Sequence, residues 1–231
     1  MYQDYYGFTA DPFRLASKGD SLYLHDSFKR AMSYLLYAFH KGEGVVLLTG
    51  GAGLGKTTLL SEVVSEATDV DTAIAVVDCA NLAGGDLLEM YLEVLGVEAA
   101  SGSTVSRAVR ETLGNIKVTK QPILVLDNAH LLDEQNMDRV HMLCNLNQQG
   151  TPLVQVVMAG QPLLRETLLT PAYEQLHQRL IATCNIEPLQ MVETREYVLH
   201  KLRAVNWTKS KLCRECVWSD LQIKSWRTAM D

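Results

Sequence analysis

Five short runs of apolar residues alternate along the chain with segments whose apolar residues recur at helical spacing. Continuous apolar runs are typical of strands that are buried on both faces of a sheet. These runs cover residues 45–49, 73–78, 123–127, 153–159 and 182–186. Helices are predicted at about 26–39, 58–64, 86–95, 104–116, 133–147, 162–169, 171–180 and 192–205. The alternation predicts an α/β fold of three layers, in which helices cover both faces of a parallel five-stranded sheet.

The two ends of the chain differ from this middle part in composition. Residues 1–25 are rich in aromatic side chains and turns, and they are predicted to form an ordered arm because exposed aromatic side chains are costly in water. The last 25 residues hold all three tryptophans and two of the five cysteines. We therefore expect an arm at 1–25, an α/β core at 26–206 and a divergent C-terminal tail at 207–231.

A glycine-rich loop lies between the first strand and the helix that follows it. Its glycines let the backbone curl so that N–H groups point at phosphate oxygens, and the helix N-terminus adds further N–H groups. The lysine of this GxxxxGK[ST] pattern reaches the outer phosphates, and the hydroxyl after it binds Mg²⁺. A chance glycine turn is the alternative, but the strand-to-helix context favours ATP with Mg²⁺. The predicted nucleotide-binding residues are Gly50, Gly51, Ala52, Gly53, Leu54, Gly55, Lys56, Thr57 and Thr58.

Asp127 ends the third predicted strand and is the expected second magnesium-binding residue beside Thr57. The next residue is Asn128, where many ATPases of this type have a glutamate that polarises the attacking water. An amide can orient a water molecule but cannot accept its proton. We therefore expect weak hydrolysis or switch-like behaviour, unless Asp133 or Glu134 supplies the missing carboxylate.

Two further polar residues are assigned to the reaction site. Gln161 follows the fourth strand and would lie beside the γ-phosphate if that strand neighbours both motif strands. Arg179 precedes the fifth strand, and its planar guanidinium could reach the γ-phosphate of a neighbouring subunit. The alternatives are a turn glutamine that faces solvent, and an arginine at the surface or in an ion pair within its own chain.

Composition excludes several other classes of protein. The formal net charge of −6 gives no overall basic signature for nucleic acid. Five scattered cysteines indicate reduced thiols, and the lone pair Cys213 and Cys216 is weak evidence for zinc. The six histidines lack metal-ligand spacing and are interpreted as structural or surface residues. With a polar N-terminus and no apolar run of about 18 residues, the chain is expected to be cytoplasmic, either by itself or as the cytosolic part of a longer protein.

The order of several sequence blocks resembles that of AAA+ ATPases of the ExeA/GspA type, which are linked to bacterial secretion and envelope assembly. The resemblance extends over about residues 5–206. It implies that Lys56 and Thr57 are the Walker A residues, Asp127 the Walker B aspartate, Gln161 sensor 1 and Arg179 the arginine finger. It also implies a strand order of fifth, first, fourth, third and second. The blocks lie at 6–8, 11–13, 22–24, 50–57, 126–132, 158–165, 175–179 and 187–189.

The sequence departs from this family in ways that bear on function. Asn128 replaces the usual glutamate, and the helical lid with its GxPRxIN block is expected after residue 206 but absent, as are a membrane helix and a peptidoglycan-binding region. The lid is therefore expected to be truncated or replaced. The implied function is ATP-dependent self-assembly, as a ring or filament, in a secretion machine with a protein partner. Because the core also resembles TniB and TnsC, the alternative is a DNA-associated regulator that uses ATP as an assembly switch.

Overall fold

The structure is a computed structural model that describes residues 7–13, 22–42, 44–67, 73–82, 84–97, 105–116 and 122–206. Tyr5, Tyr6 and the tail at 207–231, with its cysteine pair, lie outside the described residues. The described chain divides into two compact units, one at 26–188 and one that joins the arm to the residues after 188. The division into 1–25, 26–206 and 207–231 stays a prediction.

The larger unit is a parallel sheet with the predicted strand order. Its spatial order is β7-β1-β6-β3-β2, which corresponds to the fifth, first, fourth, third and second predicted strands. The three central strands are buried along their whole length, whereas the edge strands β2 and β7 carry exposed positions. This confirms the α/β fold class. The strands are β1 (Val45–Gly50), β2 (Ile74–Asp78), β3 (Ile123–Asp127), β6 (Gln155–Gly160) and β7 (Leu180–Ile186).

Helices connect the strands and cover the sheet. Several begin at side chains that accept a backbone N–H: Asp86 caps α3 and Asp133 caps α5 through the N–H groups of Leu88 and Asn136. The helices of this unit are α1 (Asp26–Lys41), α2 (Lys56–Ala67), α3 (Leu87–Val94), α4 (Val105–Asn115), α5 (Glu134–Asn145), α6 (Pro162–Leu168) and α7 (Glu174–His177).

Two sequence-based assignments are wrong in detail. The helix predicted at 171–180 is instead a 3-10 turn at Pro171–Tyr173 and the single turn α7, because Leu180 already pairs with Val45 in the sheet. The helix predicted to reach 147 ends at Asn145. It is followed by a small hairpin of β4 (Asn147–Gln148) and β5 (Thr151–Pro152). The two hairpin-turn residues, Gln149 and Gly150, both have positive φ, as a type I′ turn requires.

The smaller unit packs the described parts of the arm on α8 (Met191–Ala204). The Tyr23 hydroxyl donates to Glu196 Oε2 at 2.8 Å, and the Tyr23 ring lies edge-on to Tyr197 at a centroid distance of 6.0 Å. The backbone N–H of Thr9 donates to the carbonyl of Val205. The arm is thus ordered where the structure describes it, through contacts that the sequence pattern did not specify.

A buried asparagine on α5 fixes the beginning of α3. Asn136 is only 3% exposed; its Oδ1 accepts the N–H of Leu87 at 2.8 Å, and its Nδ2 donates to the carbonyl of Gly85 at 3.0 Å. Beside it, Arg139 pairs with Asp86 at 3.0 Å. Two polar backbone groups of a buried helix end are therefore satisfied by one side chain from the neighbouring helix.

Asn136→Ala should lower the free energy of unfolding by about 2 kcal/mol, because it leaves a buried N–H and a carbonyl without their partners. Urea unfolding followed by circular dichroism measures the change. The matched control is Asn115→Ala at the exposed end of α4, which should alter stability by less than about 0.5 kcal/mol. Equal effects of the two substitutions would contradict this account of Asn136.

Candidate functional site

The glycine-rich loop joins β1 to α2 at the carboxyl edge of the sheet. Gly53 and Gly55 have φ values of +75° and +89°, which glycine adopts without strain. The loop ends at Lys56, where α2 begins, and the carbonyl of Gly55 accepts the N–H of Leu59 as the first turn of the helix forms. The sequence-predicted loop is therefore a curled backbone segment followed directly by a helix N-terminus, as phosphate binding requires.

Lys56 is held within this loop. Its Nζ donates to the carbonyls of Gly50 at 2.9 Å and Gly51 at 2.8 Å, and the residue is only 8% exposed. Burial lowers the pKa of Lys56, and the nearby carboxylate of Asp127 partly offsets this. The ammonium group of Lys56 is thus positioned over the loop. Its two acceptors there are uncharged carbonyl oxygens, and a charged phosphate oxygen could take their place.

A hydrogen bond joins the two predicted magnesium-binding residues. Thr57 Oγ1 donates to Asp127 Oδ2 at 2.6 Å, although the two residues are 70 positions apart in the chain. Asp127 is 5% exposed, and its Oδ1 accepts the N–H of Asn128. A hydroxyl beside a buried carboxylate is a donor set that suits a hard cation such as Mg²⁺. Thr57 and Asp127 therefore fit the Mg²⁺ ion that would bind together with ATP.

Asn128 has a role that the sequence analysis did not foresee. It adopts a left-handed backbone conformation with φ of 53°, and its Nδ2 donates to Asp78 Oδ1 at 2.9 Å. Asp78 ends β2 directly beside Asp127 in the parallel register. The carboxylate that the sequence lacks at position 128 is thus present on the adjacent strand. The sequence does show that Asp78 ends the second predicted strand. This residue could be assigned to the site only once that strand was known to lie beside the strand that ends in Asp127.

A cavity of about 430 Å³ opens above the loop. Its wall brings together residues that follow β1, β3 and β6, since β6 pairs with β1 on one side and with β3 on the other. Gln161 lies in this wall, as expected for a residue between the motif strands. The lining residues are Ala52, Gly53, Gly55, Lys56, Thr57, Thr58, Ala80, Asn128, His130, Leu131 and Gln161.

His130 in this wall was interpreted from the sequence as a structural or surface residue. It lies three positions after Asp127, on the 3-10 turn at Ala129–Leu131. Burial lowers the pKa of His130, the charge of Lys56 lowers it further, and Asp127 acts in the opposite direction. The uncharged imidazole is therefore favoured at neutral pH.

Arg179 is not among the residues that line this cavity. It immediately precedes β7 at the amino edge of the sheet, where its carbonyl accepts the N–H of Val45 at 2.9 Å. The whole of β1, about 16 Å of strand, separates Val45 from the loop. The guanidinium donates to the carbonyl of Cys144 at 2.8 Å and to Asn145 Oδ1 at 2.6 Å, at the end of α5. Arg179 therefore cannot serve the loop of its own chain.

Comparisons with known proteins agree with this geometry. A family model described as "AAA domain" matches residues 40–168. The General secretion pathway protein A of Aeromonas hydrophila is 30% identical over 207 residues, which cover 88% of this chain and 38% of that protein. The chain thus spans well under half the length of this curated relative. Among the described residues, no helix combines the length and the apolar character needed to cross a membrane.

Solved structures share the fold at low sequence identity. Cdc6p from Pyrobaculum aerophilum has a TM-score of 0.68 at 13% identity, covering 88% of this chain and 56% of that one. The Aeropyrum pernix ORC2 protein has a TM-score of 0.64 at 13% identity, covering 85% and 56%. Domain III of the Thermotoga maritima replication initiation protein DnaA has a TM-score of 0.55 at 15% identity, covering 84% and 75%.

Lys56→Ala should weaken ATP binding by about 3 kcal/mol, because the charge-assisted contact with the outer phosphates is lost. Isothermal titration calorimetry with ATP and Mg²⁺ measures the change. Lys41→Ala, an exposed lysine at the end of α1, is the matched control and should leave the affinity unchanged. Unchanged affinity of the Lys56 variant, with its fold intact by circular dichroism, would remove Lys56 from the site.

Hydrolysis should be slow in the wild type, and Asn128→Glu should accelerate it only slightly, because the new carboxylate would face Asp78 in place of an amide donor. The double variant Asn128→Glu/Asp78→Asn restores an amide–carboxylate pair with the two groups exchanged. We expect it to hydrolyse ATP about tenfold to a hundredfold faster than wild type, below the full range for general-base catalysis. Phosphate release measures the rate.

Asp78→Asn alone is the control for this pair, and it should give no acceleration because it adds no carboxylate. A wild type that already hydrolyses ATP rapidly, or a double variant no faster than wild type, would show that Asn128 does not limit the reaction.

Proposed function

The chain belongs to the AAA domain family and is an AAA+ ATPase of the ExeA/GspA type, and from this premise we propose that it is an ATP-dependent assembly switch. In this proposal, ATP and Mg²⁺ bind at the glycine-rich loop, and the γ-phosphate promotes contact with a second copy of the chain. Hydrolysis is slow and resets the switch.

The hydrogen bond between Thr57 and Asp127 is the observation that carries the proposal. It places a hydroxyl and a buried carboxylate 2.6 Å apart, next to a lysine that is already turned over the loop. Thr57 and Asp127 would hold Mg²⁺, which supplies positive charge to the phosphate oxygens. Lys56 would pair with the outer phosphates, and the loop N–H groups would bind the remaining oxygens.

Slow hydrolysis follows from the hydrogen bonding of Asn128. Its amide is a donor to Asp78 and cannot take a proton from water. Gln161 would orient the γ-phosphate or a water molecule, since it directly follows β6, the strand between β1 and β3. A site that binds the triphosphate but lacks a base at the usual position suits a switch better than rapid turnover.

Assembly is proposed from the position of Arg179 at the amino edge of the sheet. The side chain is out of reach of its own loop, yet it is held in a defined orientation by Cys144 and Asn145. A guanidinium has five N–H donors, so these two bonds leave donors for a phosphate. A second copy that offers this edge to the loop would place Arg179 near the γ-phosphate, in a ring or a filament.

The cellular role is proposed from the relative. General secretion pathway protein A is a secretion protein by its name, so we propose a cytoplasmic role with a protein partner in a secretion or envelope machine. The alternative is a role in DNA-linked regulation, and it would use the same ATP-dependent assembly switch. Two structures that share the fold are replication initiation proteins by name, and an Aeropyrum pernix ORC1 protein with this fold is in complex with DNA. DNA therefore belongs in the assembly test.

Arg179→Ala should leave the ATP affinity of the single chain nearly unchanged and reduce ATP-dependent oligomers at least about tenfold. A ligand shifts an equilibrium only by its different affinity for the two states, so the γ-phosphate must be the group that discriminates. Sedimentation velocity with ATP, with ADP and without nucleotide measures the oligomers. Each condition is repeated with duplex DNA, and DNA-dependent assembly would favour the alternative role.

Asn145→Ala is the matched control for Arg179→Ala. It removes the contact with Asn145 Oδ1 but keeps the guanidinium and its bond to the carbonyl of Cys144, so it should preserve ATP-dependent assembly. If both variants lose assembly equally, the effect comes from the end of α5 rather than from a contact with phosphate. If wild type assembles equally well with ADP, the proposed switch is wrong.

A further inference from the structure

His130 lies at the nucleotide site without an assigned task. It shares the cavity wall with Lys56, Thr57 and Gln161, and it is close enough to Lys56 for the lysine charge to affect its pKa. These three neighbours are the residues proposed to meet the outer phosphates and their Mg²⁺. His130 therefore stands at the γ-phosphate end of the cavity.

Gly160 sets the approach of the His130 turn to this wall. A Cβ atom at Gly160 would lie 3.1 Å from the backbone nitrogen of His130 and 3.3 Å from its Cβ. Such a Cβ would also meet Leu164 at 2.9 Å. Because position 160 has no side chain, the 3-10 turn packs against the end of β6, directly before Gln161. The packing brings His130 and Gln161 to the same wall of the cavity.

The two ring nitrogens of His130 are in different surroundings. Nδ1 is buried and has no hydrogen-bond partner among the described residues. A proton on Nδ1 would bury an unpaired N–H, so the tautomer with the proton on Nε2 is favoured. Nε2, at the far end of the ring, is then an N–H donor that the cavity can reach.

We propose that His130 donates a hydrogen bond from Nε2 to the γ-phosphate of bound ATP and so allows the site to distinguish ATP from ADP. The proposal rests on the proposed ATP switch and adds the group that reads the terminal phosphate within one chain. An uncharged donor suits this place because Lys56 already supplies the positive charge. In this role the His130 ring binds the γ-phosphate. It does not act as the base that takes a proton from water, because Nε2, the ring nitrogen that the cavity can reach, already carries a proton.

The test compares the dissociation constants for ATP and ADP, each with Mg²⁺, measured by calorimetry. His130→Phe keeps a ring of similar shape but removes the donor, and it should weaken ATP binding about tenfold while ADP binding stays unchanged. His130→Gln keeps an N–H donor of similar reach and should recover at least part of the ATP affinity. His177→Phe, an exposed histidine on α7, is the matched control and should bind as wild type does.

Unchanged ADP affinity also shows that the His130 variants keep a folded site. If His130→Phe retains the wild-type ratio of ATP to ADP affinity, or if ATP and ADP weaken equally, the proposal for His130 is overturned while the ATP switch stands. If His130→Gln binds ATP as weakly as His130→Phe, the donor role is likewise overturned. A wild type that binds neither nucleotide would instead overturn the proposed function itself.

Discussion

The hydrogen bond from Thr57 to Asp127 requires that β1, β6 and β3 lie side by side with their carboxyl ends level. Thr57 belongs to the helix that follows β1, and Asp127 ends β3. The two strands are not neighbours, because β6 lies between them and pairs with both. A shift of register in either pairing would separate the hydroxyl from the carboxylate. Burial of all three strands on both faces opposes such a shift, since every position would have to repack.

The same constraint gives β6 its functional importance. Because β6 lies between β1 and β3, its carboxyl end lies between the glycine-rich loop and Asp127. The residues that follow β6 therefore enter the site. Gly160 has no side chain, which lets the His130 turn pack closely, and Gln161 then lines the cavity. The glycine-rich loop, the segment that holds Asp127 and His130, and Gln161 thus come from three separate parts of the sequence. Parallel strands collect them because their carboxyl ends meet at one edge of the sheet.

The parts that sequence reasoning predicted are those that depend on local pattern. The strands are continuous apolar runs because both faces are covered, and the glycine-rich loop carries its own backbone requirement. The segment at 171–180 was wrongly predicted because its helical spacing competes with the pairing of Leu180 in the sheet. The contact of Asp78 with Asn128 depends on strand order, and the place of His130 in the cavity wall depends on turn packing, and no local pattern contains either.

The pairing of the Asn128 amide with the Asp78 carboxylate has a physical consequence for the site. Asp78 Oδ1 accepts both the Asn128 amide and the backbone N–H of Ala80, so this carboxylate is engaged in stabilising the turn after β2. This oxygen is therefore occupied by two donors within the chain. The proposal of long-lived ATP rests on this pairing, and the proposal of assembly rests on Arg179, which lies at the opposite edge of the sheet from its own loop.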